Sequence, residues 1–203
     1  MKTFSIILFF LMSVLSSAQT EKDIFNPDVP LVFFGADFSQ VQFTKAETFN
    51  NKPEILRFFV DCNNLLKSNG YQNLLKKRLR REEIKTDFSY VTKNNGSVEW
   101  QNVYSDNIDY SISDEDIQNM IRNLNIDQGL YKDHIGIVMV EENYSKTKTL
   151  GTVSVVFFSI NDLKSILIKR YSLKPNGYGF LNYWGMINLQ AINSLKKLYG
   201  ELK

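Results

Sequence analysis

Few side chains in this sequence are equipped for catalysis. One histidine, His134, and one cysteine, Cys62, occur in 203 residues. A zinc site needs three or four His, Cys or carboxylate ligands at short spacings, and the usual Cys/His spacings are missing. A Ser-His-Asp device needs a serine on a strained strand-to-helix turn, and no G-x-S-x-G occurs. No Walker loop occurs either. No metal, no cofactor and no catalytic residue is therefore assigned. The carboxylates remain. Asp37 lies at the end of the apolar run LVFFGADF, and Glu141-Glu142 follow IGIVMV. Carboxylates on neighbouring strand ends can do acid–base work. They can equally be charged groups where strands meet water, and 22 acidic residues supply many such pairs.

The stretch LKPNGYGFLNYWG, Leu173 to Gly185, poses a second chemical question. A glycine-rich strand-to-helix turn can cradle a phosphate on backbone N–H groups. Here the spacing is G-x-G-x5-G, not G-x-G-x-x-G, and the strand before it reads as part of a hairpin. Both features count against a dinucleotide site. The structural expectation is a turn at Pro175 to Gly177, with Tyr178, Phe180 and Trp184 covering the sheet end where the last helix docks. The alternative is an enzyme or small-ligand-binding protein of unfamiliar type, with a site at that sheet end involving Asp37, Arg170 and Tyr178.

A third candidate is the densest charge run, Lys76, Lys77, Arg78, Arg80 and Arg81. Cations at a helix C-terminus are favoured by the macrodipole, and they can also form a patch for an acidic partner. Glu82 and Glu83 follow at once and offset the patch. Cys62 lies on the apolar stripe Ile55, Phe58, Phe59, Cys62, Leu65 and Leu66, so a buried, inert thiol is expected.

These residues need elements to hold them. Residues 31–38 read as a buried strand with a close approach at Gly35. Two helices follow, separated near Asn69-Gly70. Residues 84–92 and 98–104 read as strands around an Asn95-Gly96 hairpin turn. Ser113 before Asp114, Glu115 and Asp116 reads as a helix N-cap. Residues 135–140, 150–160 and 166–171 read as three strands, and Trp184, Ile187, Ala191, Leu195 and Leu198 mark a final helix. Hairpins mixed with helices argue for an α+β or mixed α/β sandwich: one largely antiparallel or mixed sheet with helices packed on it.

Residues 1–18 have the layout of a secretory signal peptide: a cationic start, an apolar run from Phe4 to Leu15, and Ser16-Ser17-Ala18. The apolar run is too short for a comfortable span, so no transmembrane segment is expected in the mature chain. Residues 19–30 read as an irregular lead-in and residues 31–203 as a single domain. A lone cysteine permits no internal disulfide, which suits a bacterial envelope protein better than a disulfide scaffold. With 24 basic and 22 acidic residues, the chain lacks the charge footprint of a nucleic-acid binder.

The segments VFFGADFS, VSVVFFS and GYGFLNYWG resemble those of uncharacterised secreted proteins of Bacteroidetes. That resemblance implies an exported protein and carries no activity. The element order is also similar to the envelope domain of the TolB N-terminal and curli-secretion lipoprotein type, which implies binding to envelope components and not catalysis. The lipid-attachment cysteine of those lipoproteins is not found after the apolar run. The functional expectation is an exported, periplasmic or secreted binding domain with an envelope protein partner.

Overall fold

The computed structural model describes residues 18–45 and 54–202. The expected signal peptide lies outside the described residues except for Ala18. The lead-in is anchored: Glu21–Phe25 form a 3-10 turn, and Ile24 is fully buried.

The chain is a mixed α/β fold built on a seven-stranded sheet. Strand β1 (Leu31–Asp37) and strand β2 (Gln42–Thr44) lie end to end and both pair in parallel with one side of β5 (Ile135–Ser145). β2 was not anticipated. Residues 38–41 interrupt this line of chain beside Glu141 and Glu142. Short strands β3 (Lys85–Thr86) and β4 (Tyr104–Ser105) flank β1 and β2, also in parallel. On the other side of β5, β6 (Leu150–Ser159) and β7 (Lys164–Leu173) add on in antiparallel fashion.

The expected sheet, largely antiparallel or mixed, is corrected in its antiparallel form, since four of these six strand pairings are parallel and only β5–β6 and β6–β7 are antiparallel. Parallel pairing requires long crossovers. Helices supply them: α1 (Ile55–Lys67) and α2 (Asn69–Leu79) run between β2 and β3, α3 (Ser89–Gly96) between β3 and β4, and α4 (Asp114–Arg122) between β4 and β5. β1 is buried at every position, as its near-continuous apolar sequence requires of a doubly covered parallel strand. After β7 come α5 (Phe180–Ser194) and α6 (Leu198–Glu201).

The expected hairpin around Asn95-Gly96 is also corrected. That segment is the end of α3, and Trp100–Val103 is a 3-10 turn. The asparagines that imitate a turn signal are used sideways. Asn95 Nδ2 donates to the Ala36 carbonyl at 2.9 Å, and Asn95 Oδ1 accepts from the Phe38 amide at 2.7 Å. Asn63 on α1 brackets the same strand: Oδ1 accepts from the Ala36 amide at 2.8 Å, and Nδ2 donates back to the Ala36 carbonyl at 2.9 Å. These amides satisfy backbone groups where the ladder between β1 and β5 shifts register. Gly35 sits at that irregularity with φ +92°. A Cβ there would lie 2.5 Å from the Phe88 ring.

The core is rich in aromatics. Phe38 stacks on Phe59 at 4.5 Å between centroids, and Phe43 on Tyr144 at 5.0 Å. Trp184 is 1% exposed and meets Tyr144 edge-on. Phe180 packs against Phe43 and Phe58. Tyr178, expected to cover the sheet end, is instead 96% exposed. Gly177 and Gly179, with φ of +134° and +79°, turn the chain so sharply into α5 that Tyr178 is thrown outward.

Candidate functional site: a polar groove over the end of β1

Asp37 ends β1, fully buried. Its Oδ2 accepts from the Tyr90 hydroxyl and from Asn94 Nδ2, each at 2.8 Å, and its Oδ1 accepts from the Ser39 amide at 2.8 Å. Tyr90 and Asn94 lie one turn apart on α3, so both reach the same carboxylate. Burial pushes the Tyr90 hydroxyl far above its ordinary pKa, and the negative charge of Asp37 and the hydrogen bond between them add to the shift. Tyr90 therefore stays a donor, which locks Asp37 as its acceptor.

Outside this cluster is an open groove of about 890 Å³, walled by α3, the segment after it, residues 110–112, and α4 with Asn123. Ser39 and Gln40, from the break between β1 and β2, line its base. Its volume is in the range of small-ligand sites. The Tyr110 hydroxyl donates to the Gln40 carbonyl at 3.0 Å and joins two walls.

An ion pair between a buried carboxylate and a partly exposed arginine fixes the third wall. Glu142 is fully buried, and its Oε1 accepts from Arg170 Nε at 2.8 Å and from the Ser154 hydroxyl at 2.6 Å. Glu142 Oε2 accepts from the Ile112 amide, while Arg170 NH2 donates to the Ile112 carbonyl at 2.6 Å and to Asp114 at 3.1 Å. The pair clamps the peptide groups on both sides of Ile112. Removing one member of a buried pair leaves an uncompensated charge, a cost of about 3–5 kcal/mol when both partners are buried. Arg170 is about one-third exposed, so water would shield part of the charge. Arg170→Ala is expected to cost about 2 kcal/mol in urea melts and to raise amide hydrogen exchange at residues 110–114. Unchanged exchange there would refute the clamp.

Arg170 is therefore not beside Asp37. The register Asp37–Val140–Ser154–Arg170 puts them at one level of the sheet but three strands apart, roughly 14 Å at the usual strand spacing. The sequence grouping of Asp37, Arg170 and Tyr178 is not assembled. Asp37 underlies the groove, Arg170 braces a wall, and Tyr178 stands in solvent after β7.

The basic run is largely committed to internal contacts. Arg81 is buried and donates to the carbonyls of Asn26, Asp23 and Ile24, tying the lead-in down. Arg78 donates twice to Asn193 Oδ1 on α5. Arg80 lies over the Tyr199 ring, 3.4 Å from its centroid. Among the described residues, Lys76 and Lys77 are the members of the run without such ties. The helix end is thus a structural joint between the lead-in, α2 and the C-terminal helices.

Cys62 is buried, and burial pushes its thiol well up, with Glu141 and Asp61 adding to the shift. His134 is buried beside Tyr131, with Nδ1 3.0 Å from the Lys132 carbonyl. Among the described residues, no group of three His, Cys, Asp or Glu side chains is placed to hold a metal, and no helix is long and apolar enough to cross a membrane.

The reading of Glu141 and Glu142 as charged groups at a strand end that meets water is corrected, because β5 runs on to Ser145 and both are fully buried. Glu141, on the opposite face of β5 from Glu142's clamp, has its pKa pushed up to about 8. Burial is the main cause. The hydroxyl of Tyr144, donating to Oε2 at 2.7 Å, pulls the other way, while Glu142 pushes up. Asn188 on α5 lies beside it and also favours the charged form, yet Glu141 Oε1 and both amide atoms of Asn188 close no well-formed hydrogen bond. The one available signal was position: a carboxylate directly continuing the buried run IGIVMV.

No family model, curated protein or solved structure matches the chain.

Proposed function

We propose that this is an exported, non-catalytic binding domain of the cell envelope, with its ligand held in the groove over the end of β1. The carrying observation is the groove itself: an open cavity of about 890 Å³ whose walls are braced from behind by the Asp37–Tyr90–Asn94 cluster and by the Glu142–Arg170 clamp. Pre-organised walls lower the ordering cost of binding. Export is supported by the layout of residues 1–18, and the resemblance to secreted Bacteroidetes proteins points the same way. Binding, as opposed to catalysis, is supported by the state of Asp37. Three donors occupy its oxygens, which suits a brace and not a proton carrier.

The test compares the protein purified from its host envelope with a groove-filled variant, Ser97→Trp with Asn123→Trp. Native mass spectrometry of the wild type should show a co-purifying species that the variant loses while keeping its melting temperature. The same species on both proteins would put the binding site elsewhere and defeat this reading.

A further inference from the structure

The chemistry of the groove limits what it can hold, and this step rests on the binding reading above. Among the described residues its lining contains no Lys, Arg or His, so a phosphate or carboxylate ligand would meet no counter-charge from them. Its two carboxylates each accept one neutral donor: Asp116 Oδ2 from the Ser113 hydroxyl at 2.6 Å, and Glu99 Oε2 from Asn102 Nδ2 at 3.4 Å. A neutral donor does not cancel a carboxylate's charge, so a cation is the competing occupant that the test must separate from a neutral ligand. The side chains of Gln40 and Asn123 make no hydrogen bond among the described residues, and each offers a donor and an acceptor side by side. Tyr90 and Tyr110 both spend their hydroxyls inward, on Asp37 and on the Gln40 carbonyl, so what they turn to the groove is ring. Paired donor–acceptor amides suit vicinal hydroxyls, and flat rings suit the C–H faces of a pyranose.

We propose that the groove binds a neutral saccharide, gripped by Gln40 and Asn123 and stacked on Tyr90 or Tyr110. The experiment titrates the whole protein, as its host produces it, with neutral trisaccharides of glucose, mannose and N-acetylglucosamine. Spermidine and inorganic phosphate are the parallel probes, followed by calorimetry and by amide chemical shifts. At least one trisaccharide should saturate and shift residues 94–123. Gln40→Ala with Asn123→Ala should weaken it at least tenfold at an unchanged melting temperature. Spermidine or phosphate binding in the groove in place of every sugar would overturn the saccharide assignment while leaving the groove a ligand site. Sugar binding that Gln40→Ala with Asn123→Ala leaves intact would also overturn it. If no sugar binds, the saccharide assignment falls, and the native mass comparison decides the groove separately.

Discussion

Trp184→Ala is expected to destabilise the protein by about 3–5 kcal/mol, the range for deleting a large core aromatic. For a chain of this size that lowers the melting temperature by roughly 10 °C. The indole is 1% exposed, on the first turns of α5, and meets Tyr144 at 5.2 Å and Tyr183 at 5.0 Å between centroids, both edge-on. Edge-to-face pairs add to what the buried area gives. Truncation would open a cavity beside Tyr144, the residue whose hydroxyl supports Glu141. Trp184→Phe keeps most of the volume and should lose less. Tyr178→Ala is the internal control: that ring is 96% exposed, so its loss should stay within about 0.5 kcal/mol. A thermal melt in which the two alanine variants lose equally little would mean that α5 is not pinned by its tryptophan.

The same segment shows what could be read from sequence and what could not. Trp184 falls at helical spacing with Ile187, Ala191, Leu195 and Leu198, and all five are buried. Helical period is set by local geometry and needs no knowledge of partners. Tyr178 belongs to a loop, where two positive-φ glycines decide the direction of the side chain, and no periodicity reports that. The Asn95-Gly96 hairpin failed for a related reason. An asparagine near a glycine signals a turn only if its amide is free for local use, whereas Asn94 and Asn95 bond to residues 36–38, more than fifty positions away in sequence. Asp37 was singled out because it ends an apolar run. Its partners on α3 and the groove beyond depend on a parallel crossover that short strands such as β3 and β4, two residues each, leave almost no pattern to reveal. The clamp on Ile112 was illegible because Glu142 and Arg170 meet only through the register of β5, β6 and β7.

Glu141 makes the largest pH-dependent prediction. Its carboxyl titrates near 8 in the folded protein, against an ordinary value of 4.5. The unfolded chain therefore releases this proton at lower pH than the folded one. Between those values the folded state holds more protons than the unfolded state, so stability falls as pH rises. The contribution is fully present below pH 4.5, declines by about 1.4 kcal/mol per pH unit, and is gone above pH 8. At pH 7 the penalty is about 3 kcal/mol. Glu141→Gln removes the titration. Its new amide also brings a donor to a spot where Asn188 Oδ1 lacks a partner. The variant should thus be more stable than the wild type at pH 7–8, and the gap should close toward pH 4.5. Glu142→Gln, although adjacent and equally buried, should do the opposite, since it weakens the pairing with Arg170 and the hold on Ile112. Urea melts of the three proteins from pH 4.5 to 8.5 separate the cases. Parallel stability curves for the wild type and Glu141→Gln would show that Glu141 ionises normally, and that the interior between β5 and α5 is wetter than its geometry implies.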